Sequence, residues 1–244
     1  MLAQYLALMV MEHRYGSGAM QRLPKFELDG YLRSRGSERV DEVPLERVKA
    51  SQGCIRYQRG SLVMYLLKQR MGEAAVNRAL RRVLDQYRFK GAPYPMSTAL
   101  VSARRVEATP ALQPLITDLF ERITLWASKA TSPKVTRRAD GRFDVGVTVV
   151  AHKFYANGQG KQTEAPLDEP IEIGLFTAEP GRGAFSAKSV VQLEPRRIRS
   201  GTQRLTFTVP TAPTFTTPTS TVIWTTMSWR SPDRLRPQLY RIAP

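Results

Sequence analysis

Tyr57 is the residue of this sequence best placed to do chemistry. It stands three residues before Gly60, and the apolar run that follows predicts a helix over Leu62–Met71 that Ser61 would cap. A phenol can donate a hydrogen bond to an oxyanion. A glycine ahead of a helix permits the tight chain reversal that would fix the direction of the tyrosine. The alternative is a tyrosine that only packs at the start of the helix.

The sequence offers few residues that could hold a metal ion. It contains two histidines, His13 and His152, and a single cysteine, Cys54. A catalytic zinc needs three protein ligands and an open position for water, commonly from H-E-x-x-H on one helix and a further carboxylate. Met11-Glu12-His13 has no second histidine at the required spacing. We therefore expect no metal and no cofactor to be bound by this chain alone.

Each of these three residues is instead expected to have an ordinary structural role. His13 falls near the C-terminus of the first predicted helix, where a cation is mildly favoured. His152 is expected on the surface of a strand. Cys54 cannot form an intrachain disulfide, and two distant histidines do not support a cysteine–histidine nucleophile.

The net charge of +16, from 37 basic and 21 acidic residues, favours an anionic partner such as nucleic acid or a membrane surface. The basic residues are scattered in short pairs, such as Arg81-Arg82 and Arg196-Arg197, without interleaved aromatic residues or a nucleic-acid-binding motif. We therefore interpret most of the charge as a solvated surface and do not expect nucleic acid to be the partner. Retention on DNA that falls steeply with salt would contradict this interpretation.

No apolar run is long enough to span a bilayer, which takes about 20 residues. Met1 to Val10 is apolar, but Glu12 and His13 end the run and no basic region precedes it. This pattern predicts a buried helix rather than a signal peptide. The sequence leaves the compartment unknown.

Residues 1–130 have helical spacing, and the first helix is expected to end at Gly16. Further helices are predicted over Ala19–Arg35, Leu62–Met71, Glu73–Tyr87, Ser97–Val106, and from Pro110 or Gln113 to Trp126. The period then changes to alternation near Ser128. We place the domain boundary at residue 130.

Residues 131–212 have the pattern of a small antiparallel β-sandwich. Val145, Val147 and Val149 alternate with polar residues, and Asn157-Gly158 is a turn signal. Further short strands are predicted at Ile171–Phe176, Val190–Leu193 and Leu205–Val209. The predicted fold class is therefore α+β and multidomain, with an irregular tail over residues 213–244.

Several motifs of the chain resemble those of one enzyme family. Tyr57-Gln58-Arg59-Gly60 is similar to the Tyr-x-Lys-Gly that precedes an apolar helix in zinc peptidases of the aminopeptidase N type (gluzincins), with Arg59 in place of lysine. Met1-Leu2-Ala3-Gln4-Tyr5 resembles the residues that follow their glutamate zinc ligand. Segments that resemble bacterial members, many of them fused to an ABC-type permease, are Met71–Leu80, Tyr87–Lys90, Pro93–Pro95 and Asp118–Leu125.

This resemblance covers roughly residues 2 to 210 and implies the C-terminal part of a zinc aminopeptidase. The fold would be the α-helical half of a thermolysin-like domain followed by the β-sandwich. The glutamate ligand would immediately precede Met1, with H-E-x-x-H further upstream, so that only the intact parent would bind zinc. Tyr57 would donate to the oxyanion during hydrolysis of peptides from the N-terminus. Cys54 stands where the family has an aromatic residue, which leaves the packing of Tyr57 open.

The partners implied by the resemblance are a peptide substrate and the missing N-terminal part of the same protein, with membrane association of the parent through a permease region. The isolated chain is expected to be inactive. The alternative is a non-catalytic protein-interaction module on a degenerate peptidase scaffold. The upstream reading frame separates the two, because only the enzyme requires H-E-x-x-H and a glutamate there.

The tail suggests a separate hypothesis, that residues 213–244 are a frameshift product. A permitted back-translation of Phe215 to Pro232, taken one frame over, gives Y-D-P-Y-V-D-R-D-L-D-D-N-V-V-E-V-A. That string resembles the closing strand segment of bacterial aminopeptidase-like proteins. The coding DNA tests the hypothesis directly.

Overall fold

A computed structural model describes residues 1–16, 22–35, 41–91, 97–130, 133–178 and 187–218. Its helices are α1 (Leu2–Tyr15), α2 (Arg22–Arg35), α3 (Gly60–Met71), α4 (Glu73–Tyr87), α5 (Ser97–Glu107) and α6 (Gln113–Phe120), with a π-helix at Cys54–Arg59 and short 3₁₀ turns at Leu45–Arg47, Pro110–Leu112 and Ala187–Ser189. None of the helices within these ranges is long and apolar enough to cross a membrane.

Two glycines end helices as the sequence predicts. Gly16 and Gly72 have φ values of 80° and 84°, in the region that favours glycine. The Gly16 N–H donates to the Glu12 carbonyl at 2.8 Å, and the Gly72 N–H donates to the Lys68 carbonyl at 2.9 Å. Each glycine therefore satisfies a carbonyl that the end of its helix would otherwise leave open.

The start of α3 differs from the prediction. Gly60 is helical, with φ −63° and ψ −38°, so it does not reverse the chain. The π-helix before it runs directly into α3, and Ser61 is an interior helical residue rather than a cap. The Ser61 hydroxyl donates back to the Gln58 carbonyl at 2.9 Å. One continuous helical segment therefore carries both Tyr57 and the buried apolar run.

The end of α6 also differs. The helix predicted to reach Trp126 ends at Phe120, and a strand begins at Ile123. The Thr124 hydroxyl donates to the Asp118 carbonyl at 2.7 Å, which satisfies an acceptor in the last turn of the helix. The β-branched Ile123 and Thr124 favour an extended backbone, so the change of period comes several residues before Ser128.

The strands are β1 (Ile123–Ala130), β2 (Lys134–Arg137), β3 (Phe143–Ala156), β4 (Gln162–Ala165), β5 (Asp168–Phe176), β6 (Val190–Arg199), β7 (Gly201–Val209) and β8 (Phe215–Pro218). β1, β2, β4 and β7 belong to one sheet with β3, and β5 lies between β6 and β8 in a second sheet. The pairings of β3 with β2 and β7 and of β5 with β6 and β8 are antiparallel. The predicted α+β class is confirmed.

Alternation along the strands is also as predicted. Val145, Val147, Val149 and Ala151 are almost completely buried on one face of β3, and Ile171, Ile173 and Leu175 are buried on β5. Asn157 begins the β3–β4 turn, where its N–H donates to the Lys161 carbonyl at 2.9 Å. Phe215–Pro218, from the segment expected to be irregular, forms β8, and residues 219–244 lie outside the described residues.

The chain divides into two compact units. The helical unit comprises Met1–Tyr31, Arg39–Leu125 and Phe154–Thr163, and the sheet unit comprises Leu32–Glu38, Trp126–Lys153 and Glu164–Pro244. In the helical unit every residue from Gly60 to Leu67 is buried, with α3 packed against α1 and α4. Ala79 and Val83 of α4 pack against Ala103 of α5, which leaves the α4 arginines on the outer face.

Candidate active site

The π-helix presents Tyr57 to solvent. Cys54, Ile55 and Arg59 of this short segment are buried, whereas the side chain of Tyr57 is 45% exposed. The wider π-helical turn changes the direction in which successive side chains point, and such turns are frequent at functional sites. The segment is therefore anchored by three inward-facing residues while its tyrosine remains accessible.

Arg56 is the immediate partner of the tyrosine. Its Nη2 donates to the Tyr57 Oη at 3.2 Å, and its guanidinium lies 4.6 Å from the centre of the Tyr57 ring. No described residue accepts a hydrogen bond from the Tyr57 hydroxyl, so the phenol can donate to a group from outside the chain. Arg56 has no carboxylate partner among the described residues, and its Nε is buried without an acceptor there.

This pair lies beside the N-terminal end of α1. A Cβ added to Gly60 would stand 2.9 Å from the Met1 Cγ and 3.1 Å from the Met1 Cβ. Burial, together with the positive charge of Arg56, lowers the pKa of the Met1 amino group. Glycine at position 60 therefore permits close packing of α1 against the start of α3, which is a different role from the predicted chain reversal.

Arg59 holds the π-helix in place. Its side chain is 3% exposed, its Nη2 donates to the Arg122 carbonyl at 2.9 Å, and its Nη1 lies 3.5 Å from the Glu42 Oε1. The Tyr31 hydroxyl also donates to Glu42, and the Arg59 guanidinium lies over the Tyr31 ring at 5.9 Å. Arg59 is thus a buried structural residue, and its charge is turned away from Tyr57.

Gln58 shows how closely the segment fits its surroundings. A Cβ on Gly30 of α2 would stand 2.3 Å from the Gln58 Nε2, so a larger residue at position 30 would displace the end of this side chain. The Gln58 amide packs against Gly30, and its Oε1 is buried. The two neighbours of Tyr57 have different roles: Arg56 contacts the phenol, and Gln58 packs inward.

The other candidate residues lie on different elements of the chain. His13 is in the last turn of α1, as predicted, and its Nε2 lies 3.4 Å from the Glu73 carboxylate. His152 is on β3 of the sheet unit, with its Nδ1 2.7 Å from Glu164. Cys54 is buried and forms no disulfide. Among the described residues no three His, Cys, Asp or Glu side chains come together as a metal site, so these side chains alone do not fit a zinc ion.

Sequence reasoning did not select Arg56 as a site residue. The signal was present, because a cation directly before an exposed tyrosine can stack on its ring. The π-helical turn, which lets the side chains of Arg56 and Tyr57 contact each other, was not predictable from the sequence. Comparison of the chain with models of known protein families, and with characterised proteins, finds no match.

Proposed function

We propose that this chain is the C-terminal part of a zinc-dependent aminopeptidase of the aminopeptidase N type, consisting of the helical half of a thermolysin-like domain and a small antiparallel β-sandwich. The observation that carries the proposal is the geometry of Tyr57. Its side chain is 45% exposed, its hydroxyl accepts from Arg56, and Gly60, three residues later, lies against Met1 at the start of α1. The motif resemblance implies that this residue is the oxyanion donor.

The chemistry assigned to Tyr57 is donation to a developing oxyanion. Attack of water on a peptide carbonyl concentrates negative charge on the carbonyl oxygen, and a positioned phenol O–H stabilises that charge. The hydrogen bond from Arg56 occupies a lone pair of the Tyr57 oxygen and polarises the O–H bond toward the acceptor. Arg56 also contributes positive potential next to the oxyanion.

The zinc ligands are assigned to the missing N-terminal part of the same protein. Zinc would activate the attacking water there, and no residue of this chain is given that task. The first turn of α1 contains no acidic residue of its own. A helix N-terminus with Arg56 beside it favours a carboxylate at the position immediately before Met1.

The full-length parent with Tyr57→Phe tests the role of the phenol. We expect kcat for aminoacyl-anilide hydrolysis to fall by about 10²–10³-fold, with KM and zinc content little changed, because the lost hydrogen bond forms only in the transition state. Tyr15→Phe is a matched control, since Tyr15 is 62% exposed at the far end of α1. Equal activity of the two variants would overturn the assignment.

The isolated chain should neither retain zinc nor cleave aminoacyl-anilides. Cleavage by the purified, zinc-loaded chain would show that the upstream part is not needed. The alternative function, a non-catalytic interaction module on the same scaffold, requires that the upstream coding sequence lack H-E-x-x-H and the glutamate before Met1.

A further inference from the structure

The turn after α4 holds an aromatic residue in a conformation that favours glycine. Arg88 has φ −59° and ψ 139°, Phe89 has φ 59°, and the Lys90 N–H donates to the Tyr87 carbonyl at 3.2 Å. These values define a type II turn, whose third residue is normally glycine or asparagine. Within the described residues, Phe89 is the only non-glycine residue with a positive φ. We call Tyr87–Lys90 the Phe89 turn.

Packing does not explain the phenylalanine either. The side chain of Phe89 is 100% exposed, and its one ring contact with a described residue is with the Arg88 guanidinium, 5.9 Å from the ring centre. A bulky side chain in the left-handed region is strained. Because the ring is exposed to water, it also contributes no hydrophobic stabilisation to the fold. Since glycine would remove both costs, a phenylalanine here points to a binding role.

The surroundings of the ring indicate what it binds. Leu84, one turn earlier on α4, is 58% exposed. Arg81 and Arg88 share one carboxylate, Asp85, at 3.3 and 3.6 Å, and Lys90 has no acidic partner among the described residues. The segment from residue 81 to residue 90 therefore carries more cations than carboxylates, on a chain whose net charge is +16.

We propose that the Phe89 turn inserts into an anionic lipid surface. A single ring at the tip of a turn can enter the acyl-chain boundary, while the long arms of Arg88 and Lys90 keep their charges at the level of the headgroups. Anionic headgroups attract each nearby cation, which complements the net positive charge of the tip. This inference is independent of the proposed peptidase function.

Sedimentation of the chain with vesicles tests the inference. The vesicles are an equimolar mixture of phosphatidylcholine and phosphatidylserine, compared with phosphatidylcholine alone. We expect Phe89→Ala to weaken binding to the mixed vesicles roughly tenfold, from the loss of one buried ring. Neutralising Arg88 or Lys90 with glutamine should weaken it about fivefold each, because one cation near the surface contributes about that factor.

Matched controls separate insertion from general attraction of a basic chain. Phe26→Ala removes a ring that is 64% exposed on α2, and glutamine at Lys134 and Arg137 removes two charges from exposed β2. Both control variants should bind like the parent chain. If they weaken binding as much as the variants of the turn, the Phe89 turn has no special role and the inference is wrong.

Two further variants distinguish a lipid from another partner. Phe89→Trp should shift its fluorescence to the blue with the mixed vesicles and not with free inorganic phosphate, after subtraction of the parent spectrum. Phe89→Gly should raise the urea midpoint of the chain while vesicle binding falls. If Phe89→Ala and Phe89→Gly bind vesicles as the parent does, lipid is not the occupant, and a protein partner for the ring would take its place.

Discussion

Two buried cations, one in each unit, are compensated in different ways. In the sheet unit, the Lys153 side chain is 9% exposed and its Nζ donates to the Glu169 Oε1 at 2.8 Å, while the Trp126 Nε1 donates to the other carboxylate oxygen at 3.1 Å. In the helical unit, Arg104 is completely buried and has no carboxylate partner among the described residues. Its Nη groups donate to the Leu100 carbonyl and the Met64 sulfur, both at 2.7 Å.

Lys153 and Arg104 differ in how completely the buried polar groups around them are hydrogen-bonded. The Arg104 Nε and the Tyr5 hydroxyl are buried without a hydrogen-bond partner among the described residues. Burial lowers the pKa of Arg104 to about 10 and raises that of Tyr5 to about 12. A charge enclosed without its counterion costs stability, whereas the Lys153–Glu169 pair compensates part of its own desolvation. Substitution of Arg104 or Tyr5 therefore has more stability to gain than substitution within the Lys153–Glu169 pair.

Removal of Glu169 should have the largest effect on stability. Glu169→Leu removes one acceptor from Lys153 and one from the Trp126 N–H, and we expect a loss of about 3 kcal/mol in the free energy of unfolding by urea. Adding Lys153→Met to this variant should recover much of the loss, because the buried charge that Glu169 compensates is removed. A double variant as unstable as the single one would show that the pair is not what matters.

Substitution of Arg104 should have the opposite sign. Arg104→Met keeps an unbranched side chain and removes the buried charge, so we expect a gain of about 1–2 kcal/mol in the same assay. Arg104→Lys is the matched control, since it keeps the charge and should not stabilise. A loss of stability in Arg104→Met would mean that the guanidinium is better compensated than its contacts indicate.

Substitution of Tyr5 should change how the stability of the chain depends on pH. Tyr5→Phe removes a buried hydroxyl without a partner, which should change stability by less than about 1 kcal/mol at neutral pH. The pKa of Tyr5 is about 12 in the fold and 10 ordinarily, so the unfolded chain releases the proton first and the parent loses stability as pH rises through this interval. The free energy of unfolding by urea should therefore become increasingly larger for the variant than for the parent between pH 10 and pH 12. A constant difference would contradict the pKa shift.

Two glycines at the ends of the π-helix test whether Met1 packs against the start of α3. A Cβ at Gly60 would meet Met1 at 2.9 Å, whereas a Cβ at Gly53 would have nothing within 4 Å. Gly60→Ala should therefore cost about 1 kcal/mol through crowding, and Gly53→Ala should stabilise the helical backbone by about 0.5 kcal/mol. Equal effects in thermal unfolding would place Met1 away from Gly60 and weaken the proposed function.

The sequence predicted features that depend on local patterns. Gly16 and Gly72 end helices because a residue with positive φ is needed there, and alternation identified the buried face of β3. Long-range contacts were not predictable. Gly60 leaves room for Met1 rather than reversing the chain, and Arg104, one of the basic residues interpreted as a solvated surface, is enclosed by contacts with other helices. The position of Tyr57 in a π-helix has no periodic signature over so short a segment.

The smallest effect on stability is expected for a surface ion pair of the sheet unit, and its pH dependence lies in the acid range. Hydrogen bonds from the Arg197 guanidinium, at 2.6 and 3.0 Å, hold the pKa of Asp168 below its ordinary value of 3.8. This pair contributes stability above the ordinary pKa and loses it as pH falls through the lower pKa of the folded state. The stability of Asp168→Asn should therefore differ slightly from that of the parent at neutral pH and progressively less below about pH 4.

Arg197→Gln should show the same pH dependence, and the double variant should add little, because the two side chains act through one interaction. A difference that persists unchanged into acid would assign the effect of Asp168 to β5 packing rather than to its charge.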